Sequence, residues 1–411
     1  MCYHNGVDSE TEKKIVAKKH VVIVGGGFGG VRAALLLVDN RHFEVTLVTD
    51  HDDFRYHPSL YRTATGGRRF ASSIDLDELF DGKPIRFVRG LVTTVDRQAK
   101  SIALSDKQTI KYDSLILALG VRTNYFNIKG LPEFSFGIKT TEDALKLKHH
   151  IHQQMIDQHK LDLNYIVIGG GPTGVELAGA LPAHLRRVAR NHAIKRPAVH
   201  IGLVEAAPRL LPRMPKDISR MVARRLRHLG VKLYLNTTVK GETHDSLMLE
   251  NKKLASRTVI WTAGVANQEF FAENVFQMNK NGKVRVNQYL EAEPNIYVIG
   301  DNADTPYSGM AQTALYDGRY LANNLMRQAD NIEPKPYLAK RPVYVIPVGP
   351  KWAAMLWGKL RLYGWLGSML RSLADLVAYH DYEPWQLATK RWMSTDDSEE
   401  SCPICASHPS S

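Results

Sequence analysis

Two glycine-rich segments of the chain have the composition and spacing of phosphate-binding turns. Residues 25–30 and residues 169–174 both follow the pattern G-x-G-x-x-G. In such a turn the first glycine permits a sharp bend, the second lets a pyrophosphate approach the backbone, and the third lets a helix pack closely. The free N–H groups at the start of the following helix favour the phosphate charge. The glycines concerned are Gly25, Gly27, Gly29 and Gly30 in the first segment and Gly169, Gly171 and Gly174 in the second.

The elements around both segments are those that such a turn requires. A short β-branched strand precedes each turn, at residues 21–24 and 166–168, and an apolar helix follows each one. One G-x-G-x-x-G match is a weak signal, but two matches in the same strand–turn–helix context predict two dinucleotide sites. The simplest function of two dinucleotides in one chain is electron transfer between them. The predicted fold is α/β, with two Rossmann-like dinucleotide-binding domains and a C-terminal amphipathic helical region.

The repeat also predicts how the chain is divided. A threonine cap candidate at Thr141, followed by acidic residues, predicts that a helix begins there. Residues 296–301 have the pattern of another buried strand that ends in glycine and an acid. The predicted units are a flexible tail at 1–18, a first domain at 19–140 that resumes at 266–334, a second domain at 141–265, a membrane-surface or dimerisation region at 335–393, and a disordered tail at 394–411.

An acid at the end of the second strand of such a unit binds the ribose and repels a 2′-phosphate. Glu205 follows the strand at 200–204, so the second unit favours NADH over NADPH. Arg209 and Arg213 lie nearby in sequence, which leaves NADPH open. In the first unit Thr49 stands at the strand tip and Asp50 is the nearest acid. Either Asp50 reaches the ribose or the ribose is held by other groups.

Charge and cysteine content narrow the function further. The net charge is +12, which suggests an anionic partner. No nucleic-acid-binding motif accompanies the charge, so no nucleic-acid partner is predicted. No signal-peptide run and no spanning helix are expected.

The three cysteines lie in the tails, which fits a reducing cytoplasm. A lone C-x-x-C is a weak zinc signal, so no metal site is predicted, and whether Cys402 and Cys405 bind a metal with Cys2 is left open.

Five further segments carry a resemblance to a known family, and they are residues 54–61, 112–120, 259–265, 299–301 and 311–314. With the glycine turns, they are similar to the two-dinucleotide-binding flavoproteins. Within that superfamily, residues 19–393 most resemble the type II NADH dehydrogenases, which are single-subunit NADH:quinone oxidoreductases that pump no protons.

The resemblance implies that the first unit binds FAD and the second binds NADH as substrate. It implies FAD contacts at Gly25, Gly27, Gly29, Gly30, Asp50, Ala118, Gly120, Asp301, Ala311 and Gln312, and NAD contacts at Gly169, Gly171, Thr173, Gly174, Glu176, Glu205, Ala263 and Gly264. Glu176 is expected to face the nicotinamide and the flavin, although charge compensation at a helix start would also place an acid there.

The acceptor site departs from the family pattern. The family often has glutamines four and five residues after Gln312, where this chain has Tyr316 and Asp317. A tyrosine hydroxyl can still donate a hydrogen bond to a quinone carbonyl. Asp317 is expected to be a poor neighbour for a quinol anion. The candidate catalytic residues are therefore Glu176, Gln312 and Tyr316.

The cysteine positions disfavour disulfide chemistry beside the flavin. Residues 3–401 contain no cysteine, so a dithiol in the first helix or the nicotinamide domain is excluded. Sulfide:quinone oxidoreductases also need core cysteines and are disfavoured. Electrons are therefore expected to pass directly from the flavin to an acceptor.

The C-terminal region has the pattern of an amphipathic helix near a membrane. Five of the six tryptophans fall within residues 352–392, and residues 335–393 carry nine Lys/Arg and three Asp/Glu. The apolar positions predicted for one helix face are Leu362, Leu366, Met369, Leu373 and Leu376, and the opposite face has Arg361, Gly364, Ser368, Arg371 and Asp375. The pattern favours a helix in the interface of an anionic bilayer. Packing in the core or in a homodimer is the alternative.

The function predicted from these features is the transfer of hydride from NADH to FAD and of two electrons onward to a membrane quinone. The predicted location is peripheral, at the cytoplasmic face of the cell membrane. Two alternatives remain at this point. One is a soluble NAD(P)H-dependent reductase of a ferredoxin or a small oxidant, and the other is a redox-sensing FAD- and NAD-binding protein of the apoptosis-inducing-factor kind.

Overall fold

The fold is described from a computed structural model, which covers residues 18–156, 164–192, 194 and 199–395. The predictions made for residues 1–17 and 396–411, including the cysteines Cys2, Cys402 and Cys405, lie outside the described residues. Within the described part of the chain, a strand precedes and a helix follows each of the two glycine turns, as predicted.

The helices pack on both sides of parallel sheets and at the C-terminal end of the chain. In the described residues they are α1 Phe28–Leu37, α2 Leu60–Ala64, α3 Leu76–Leu79, α4 Leu131–Phe134, α5 Thr141–Ile156, α6 Pro172–Asn191, α7 Lys216–His228, α8 Phe270–Glu273, α9 Ala311–Ala329, α10 Trp365–His380 and α11 Trp385–Met393, with 3₁₀ turns at His57–Ser59, Arg69–Ala71 and Gly300–Asn302.

The strands are short, and most are three to five residues long. They are β1 Lys19–Val24, β2 Phe43–Thr49, β3 Asp53–Arg55, β4 Ser73–Asp75, β5 Ile85–Arg89, β6 Val92–Asp96, β7 Ser101–Leu104, β8 Thr109–Lys111, β9 Ser114–Leu117, β10 Val121–Thr123, β11 Asn164–Ile168, β12 His200–Val204, β13 Val231–Tyr234, β14 Val239–Thr243, β15 Ser246–Leu249, β16 Lys253–Ala255, β17 Thr258–Trp261, β18 Val265–Asn267, β19 Glu291–Glu293, β20 Ile296–Val298, β21 Tyr344–Pro347, β22 Ala353–Trp357 and β23 Leu360–Gly364.

The first unit is built on a six-stranded sheet of order β19-β20-β9-β1-β2-β5. All neighbours are parallel except β19, which pairs antiparallel with β20. The inner strands are buried and rich in valine, leucine and isoleucine, as is typical of a parallel sheet covered on both faces. Because β20 comes from much later in the chain than β9, the sheet is completed by a segment that follows the second unit in sequence.

The second unit has a four-stranded parallel sheet of order β13-β12-β11-β17. Phe136 extends the edge beside β17, where its backbone pairs with Ile260. In both units the strand before the glycine turn is an inner strand with a partner on each side. The carboxyl end of such a strand, where the strand order reverses, is where dinucleotides bind in doubly wound folds.

Two features differ locally from the expectations. Helix α5 begins at Thr141, but its cap is Thr140, whose Oγ1 accepts the Asp143 N–H at 3.0 Å while the Asp143 carboxylate accepts the Thr140 N–H. The predicted amphipathic helix begins at Trp365, so the prediction was wrong for Arg361, Leu362 and Gly364, which lie in strand β23. Gly364 has a φ of 84° and ends that strand with a bend a branched residue would resist.

The C-terminal region packs across both units. Strands β21, β22 and β23 form an antiparallel sheet, one face of which contacts α6 and α7 while α10 covers the other. A Cβ at Gly179 of α6 would lie 2.7 Å from the Gly349 nitrogen, so helix and sheet touch closely. Among the described residues, no helix has the length and apolar character needed to cross a bilayer.

Candidate functional site

The first glycine turn lies at the carboxyl end of β1. Gly25 has a φ of 115°, and a Cβ there would lie 2.3 Å from the carbonyl oxygen of Ala118. A Cβ at Gly30 would lie 2.1 Å from the carbonyl oxygen of Gly25, so only hydrogen fits between turn and helix. At Gly27, by contrast, a Cβ would meet nothing within 4 Å. The turn is therefore tight on its protein side and open on the side where a pyrophosphate would lie.

The second turn repeats this arrangement at the end of β11. Gly169 has a φ of 110°, and a Cβ there would lie 2.8 Å from the Cα of Ala263. A Cβ at Gly174 would lie 1.9 Å from the carbonyl oxygen of Gly169, whereas one at Gly171 would meet nothing within 4 Å. Thr173 is exposed in the first turn of α6. The two turns, which we call the glycine cradles, thus have the same geometry and lie at the carboxyl ends of β1 and β11.

Glu205 lies at the tip of β12, beside the second turn. Its Oε2 accepts the N–H of Gly170 at 2.6 Å, and its Oε1 accepts the N–H of Ala207 at 2.7 Å. These two bonds hold the carboxylate against the turn, in the place where an acid recognises ribose hydroxyls. Gly264, also predicted to contact the nucleotide, is buried against the carbonyl oxygen of Asn124, from which a Cβ would be 2.2 Å away.

The corresponding end of β2 is arranged differently. Asp50 is exposed, with one carboxylate oxygen 3.8 Å from the His51 ring. Thr49 is buried, and its hydroxyl has no hydrogen-bond partner within the described part of the chain. That hydroxyl lies 3.1 Å from where a Cβ of Gly26 would stand, so it borders the glycine turn. A buried hydroxyl without a partner is unfavourable unless a ligand supplies one.

The 3₁₀ turn Gly300–Asn302 follows β20, which β9 separates from β1, and the Ile299 side chain just before it would lie 3.0 Å from a Cβ at Gly29. Gly300 has a φ of 69°, and its N–H donates to the Asp317 carboxylate at 3.0 Å. Asn302 holds Gly120 by two bonds, accepting its N–H at 2.9 Å and donating to its carbonyl at 2.6 Å. Burial raises the pKa of the Asp301 carboxyl, an effect that the ammonium groups of Lys139 and Lys283 oppose. The turn thus presents an acid between two lysines.

Helix α9 begins beside this turn, and its first residues lie close to the first glycine turn. A Cβ at Gly29 would lie 3.1 Å from the carbonyl oxygen of Ala314, and one at Gly318 would lie 2.3 Å from the carbonyl oxygen of Gly29. Ala311 and Gln312 form the first turn of this helix. The FAD contacts predicted at the start of α9 are therefore close in space to those predicted in the first glycine turn.

Asp317 is directed into the protein, towards the Gly300 turn. It is fully buried and accepts the Tyr337 hydroxyl at 2.6 Å in addition to the Gly300 N–H. Burial raises the pKa of its carboxyl to about 6. The side chain therefore supports the Gly300 turn, and its expected effect on a quinol anion stays a prediction. Tyr316 is half-buried on another side of α9.

Glu176 lies in the second turn of α6, with only 12% of its side chain exposed. Burial raises the pKa of its carboxyl to about 7, although nearby guanidinium groups act in the other direction. The closest of these belongs to Arg371 of α10, whose Nη1 is 3.6 Å from the Glu176 Oε1. The acid of the second unit is thus paired with a cation from the C-terminal region.

Arg371 is the centre of a buried polar network that the sequence reasoning missed. Its Nε contacts both oxygens of Asp375 at 3.0 Å, and its two terminal nitrogens donate to the carbonyls of Val345 and Pro58 at 3.1 Å. The Asp375 carboxylate also accepts the Tyr56 hydroxyl at 3.0 Å and lies 3.3 Å from Arg62. The available signal was the i,i+4 spacing of Arg371 and Asp375 on the polar side of the predicted amphipathic helix.

The outer side of α10 is apolar and uncovered. Trp365, Leu366, Met369, Leu373 and Val377 are all exposed there, with 65% of Trp365 and 55% of Val377 accessible. We call these five residues the apolar face. Trp357, Leu360 and Trp385 are exposed as well. The apolar face is therefore not packed in the core of this chain, and the polar side of α10 is buried.

The comparisons with known proteins agree with this architecture. The family model for pyridine nucleotide-disulphide oxidoreductases matches residues 19–318. The chain belongs to this family. Membership covers both glycine turns and the Gly300 turn, and the family's oxidoreductase chemistry makes the protein an oxidoreductase. The family name refers to disulfides, but residues 3–401 of this member contain no cysteine.

Two curated relatives narrow the similarity within the family. The chain is 29% identical over 409 residues to the type II NADH:quinone oxidoreductase NdhA of Mycobacterium tuberculosis, covering 91% of this chain and 87% of the relative. It is 27% identical over 332 residues to the type II NADH:quinone oxidoreductase of Staphylococcus saprophyticus, covering 75% and 82%. The resemblance to this group predicted from the sequence is confirmed.

Among solved structures, NDH2 from Plasmodium falciparum in complex with NADH has a TM-score of 0.82 at 19% identity, covering 92% of this chain and 97% of that one. At this identity the match shows the fold. The predicted fold class, two dinucleotide-binding units with C-terminal helices, is confirmed.

Proposed function

We propose that the protein is an FAD-dependent NADH:quinone oxidoreductase that works at a membrane surface. The observation that carries the proposal is the pairing of Glu176 with Arg371. It joins the second dinucleotide unit to the helix that bears the apolar face. The proposed nicotinamide site and the proposed membrane-binding helix are therefore connected by one polar network. The names of the curated relatives support the reaction, and they do not favour the soluble reductase or the redox sensor.

The first unit fits FAD. Its glycine turn is open at Gly27, and the buried Thr49 hydroxyl borders the turn and would gain a partner from a bound ribose. Asp301 would bind the hydroxylated chain that links the flavin to its phosphates, with Lys139 and Lys283 compensating its charge. FAD, when bound, would supply the redox chemistry by accepting a hydride and returning two electrons.

The second unit fits NADH. Gly171 leaves room for the pyrophosphate, and Glu205 is positioned for the ribose hydroxyls. A 2′-phosphate there would meet the Glu205 carboxylate, so we expect NADH to be preferred over NADPH. The ratio of kcat/KM for the two nucleotides tests this, and equal values would contradict it. Glu176 would neighbour the nicotinamide, where its proton occupancy changes near neutral pH.

The acceptor would be a quinone that reaches the flavin near the start of α9. Gln312 and Tyr316 provide amide and hydroxyl groups suited to quinone carbonyls. In the net reaction NADH gives a hydride, and the quinone gains two electrons and two protons, one of which comes from solvent. No side chain has to act as a nucleophile.

The membrane part of the proposal depends on the apolar face. A lone chain that exposes tryptophan, leucine, methionine and valine side by side on one helix indicates a surface that is covered in use. The flanking positive charge of residues 335–393 fits an anionic leaflet. We propose peripheral binding at the cytoplasmic face of the cell membrane. A homodimer through the same face is the competing arrangement.

The test is steady-state NADH oxidation by the FAD-loaded protein with menadione as the acceptor. We expect turnover that depends on both substrates and produces one quinol per NADH. Absence of turnover with FAD retained would contradict the proposal and favour a binding protein. The matched control is Asp301→Asn, which should lose FAD affinity and activity together.

A further inference from the structure

An extended segment lies along α9 and contacts the candidate acceptor residues. Residues 335–343, which we call the strap, have no regular secondary structure and run antiparallel to the helix. The contacts follow one another in order: the Lys335 carbonyl accepts from Tyr320 at 2.6 Å and from Asn324 at 2.8 Å, the Tyr337 hydroxyl donates to Asp317 at 2.6 Å, Lys340 lies over Tyr316, and the Val343 N–H donates to Gln312 at 2.9 Å.

The last of these contacts fixes the orientation of the Gln312 amide. The Gln312 Oε1 accepts the backbone N–H of Val343, so the oxygen side of the amide faces the strap. The NH₂ group, which can only donate, is then turned to the other side. Gln312 is exposed in the first turn of α9, two residues before Ala314, which borders Gly29 and Gly300. The strap therefore makes Gln312 a hydrogen-bond donor towards the site.

The strap also adds a cation beside Tyr316. The Lys340 ammonium lies 4.5 Å from the centre of the Tyr316 ring, a cation–π distance. Lys340 is exposed and, among the described residues, has no carboxylate within ion-pair distance. No carboxylate of the described residues neutralises its charge, which is therefore available to a ligand. Tyr316, Gln312 and Lys340 form a set of three donors on one side of α9.

We propose that the strap is the acceptor-recognition element of this enzyme and that Lys340 is a specificity-determining residue. The proposal rests on the proposed function and adds to it. A set of three donors favours a ring that carries carbonyl oxygens, as a quinone does. Reduction places negative charge on those oxygens before their protons arrive, and a nearby ammonium stabilises that charge. Lys340 supplies charge and gives up no proton in the net reaction.

A purely structural strap would behave differently. Tyr337, Lys335 and Val343 already attach the segment to α9 through hydrogen bonds, so the Lys340 side chain is not needed to hold it. Replacing Lys340 by methionine keeps the length of the side chain and removes only its charge. Lys335→Met is the matched control, because Lys335 is exposed on the same strap and contacts α9 through its backbone.

The experiment titrates the oxidised, FAD-loaded enzyme with menadione and follows the perturbation of the flavin spectrum, which gives a Kd without turnover. Single-turnover reoxidation of the reduced enzyme by menadione and by oxygen is measured beside it. We expect Lys340→Met to raise the Kd and slow reoxidation by menadione, each about tenfold, because a hydrogen bond to a charged group is lost. Reduction by NADH and reoxidation by oxygen should not change.

The outcomes separate the inference from the function on which it rests. If Lys340→Met matches both the wild type and Lys335→Met in Kd and rate, the inference is overturned and the proposed function stands. If the wild-type enzyme reduces no menadione, the proposed function fails and the inference fails with it. An equal loss in both lysine variants would show general charge attraction and would also overturn the special role of Lys340.

Discussion

The guanidinium of Arg371 lies 3.6 Å from the carboxylate of Glu176 and bonds both oxygens of Asp375 at 3.0 Å. One residue of α10 thus links helix α6 of the second unit to the loop that carries Tyr56 and Pro58. The polar side of the amphipathic helix α10 is buried in the protein, and its apolar face is exposed. This inversion leaves an exposed apolar surface on α10, for which we propose a bilayer as the partner.

The pH dependence of stability should report Glu176. Burial raises the pKa of its carboxyl from the ordinary 4.5 to about 7, so the folded state keeps a proton that the unfolded chain releases between these values. This contribution to the free energy of unfolding is present below pH 4.5 and is lost as the pH rises to 7, by about 3 kcal/mol. Thermal unfolding of Glu176→Gln should vary less between pH 5 and 7 than that of the wild type.

The control for this measurement is Glu142→Gln, whose carboxyl is exposed. It should keep the wild-type pH dependence. Identical pH dependence in Glu176→Gln and the wild type would show that Glu176 does not titrate in this range.

Removing the centre of the buried network should destabilise the protein strongly. Arg371→Ala leaves the carboxylates of Glu176 and Asp375 buried without their main cation, which costs about 3–5 kcal/mol. Arg361→Ala breaks an ion pair with Asp217 in which both side chains are about 40% exposed, and it should cost less than about 1 kcal/mol. Urea unfolding of both variants measures the difference. Equal losses would contradict the structural importance of the Arg371 network.

The two glycine cradles should be separable by mutation. Gly27→Ala and Gly171→Ala place a methyl group in open space, so both variants should fold. Gly27→Ala should lower FAD retention at least tenfold, whereas Gly171→Ala should keep FAD and raise the KM for NADH by a similar factor, since each methyl displaces a pyrophosphate. Equilibrium dialysis of FAD and steady-state kinetics measure the two effects.

Gly30→Ala is the contrasting variant, because its methyl would lie 2.1 Å from the Gly25 carbonyl oxygen. It should fail to fold or should lose stability severely. If Gly171→Ala released FAD, the assignment of the two cradles would be reversed.

The apolar face should determine membrane binding. Met369→Asp combined with Leu373→Asp places two charges on exposed positions of α10, so the fold should survive while co-sedimentation with phosphatidylglycerol vesicles falls at least tenfold. Val275→Asp is the control, since Val275 is 82% exposed on another part of the protein. Loss of a dimer in size-exclusion chromatography without loss of vesicle binding would favour the dimer interface instead.

The sequence predicted what depends on local pattern. The glycine turns, the inner strands before them and the acid at the tip of β12 follow from residue type and spacing, and the structure places Gly25, Gly169 and Glu205 at the corresponding strand ends. Parallel strands bring their carboxyl ends to one edge, which is why such spacing is informative.

The rest depended on contacts between distant segments. The local sequence does not show that Arg371 and Asp375 are buried, because the loop around Tyr56 that packs against them lies more than 300 residues earlier. The local sequence does not show that the Asp317 carboxylate accepts hydrogen bonds from the Tyr337 hydroxyl and the Gly300 N–H. The strap could not be foreseen either, because an irregular segment has no periodicity to predict its path.

The stopped-flow spectrum of the purified, FAD-loaded protein tests the central claim most directly. Mixing with NADH in the absence of oxygen should bleach the flavin, and subsequent mixing with menadione should restore its oxidised spectrum at a rate that rises with menadione concentration. A protein that retains no FAD, a flavin that NADH does not bleach, or a bleached flavin that menadione leaves reduced would contradict the account.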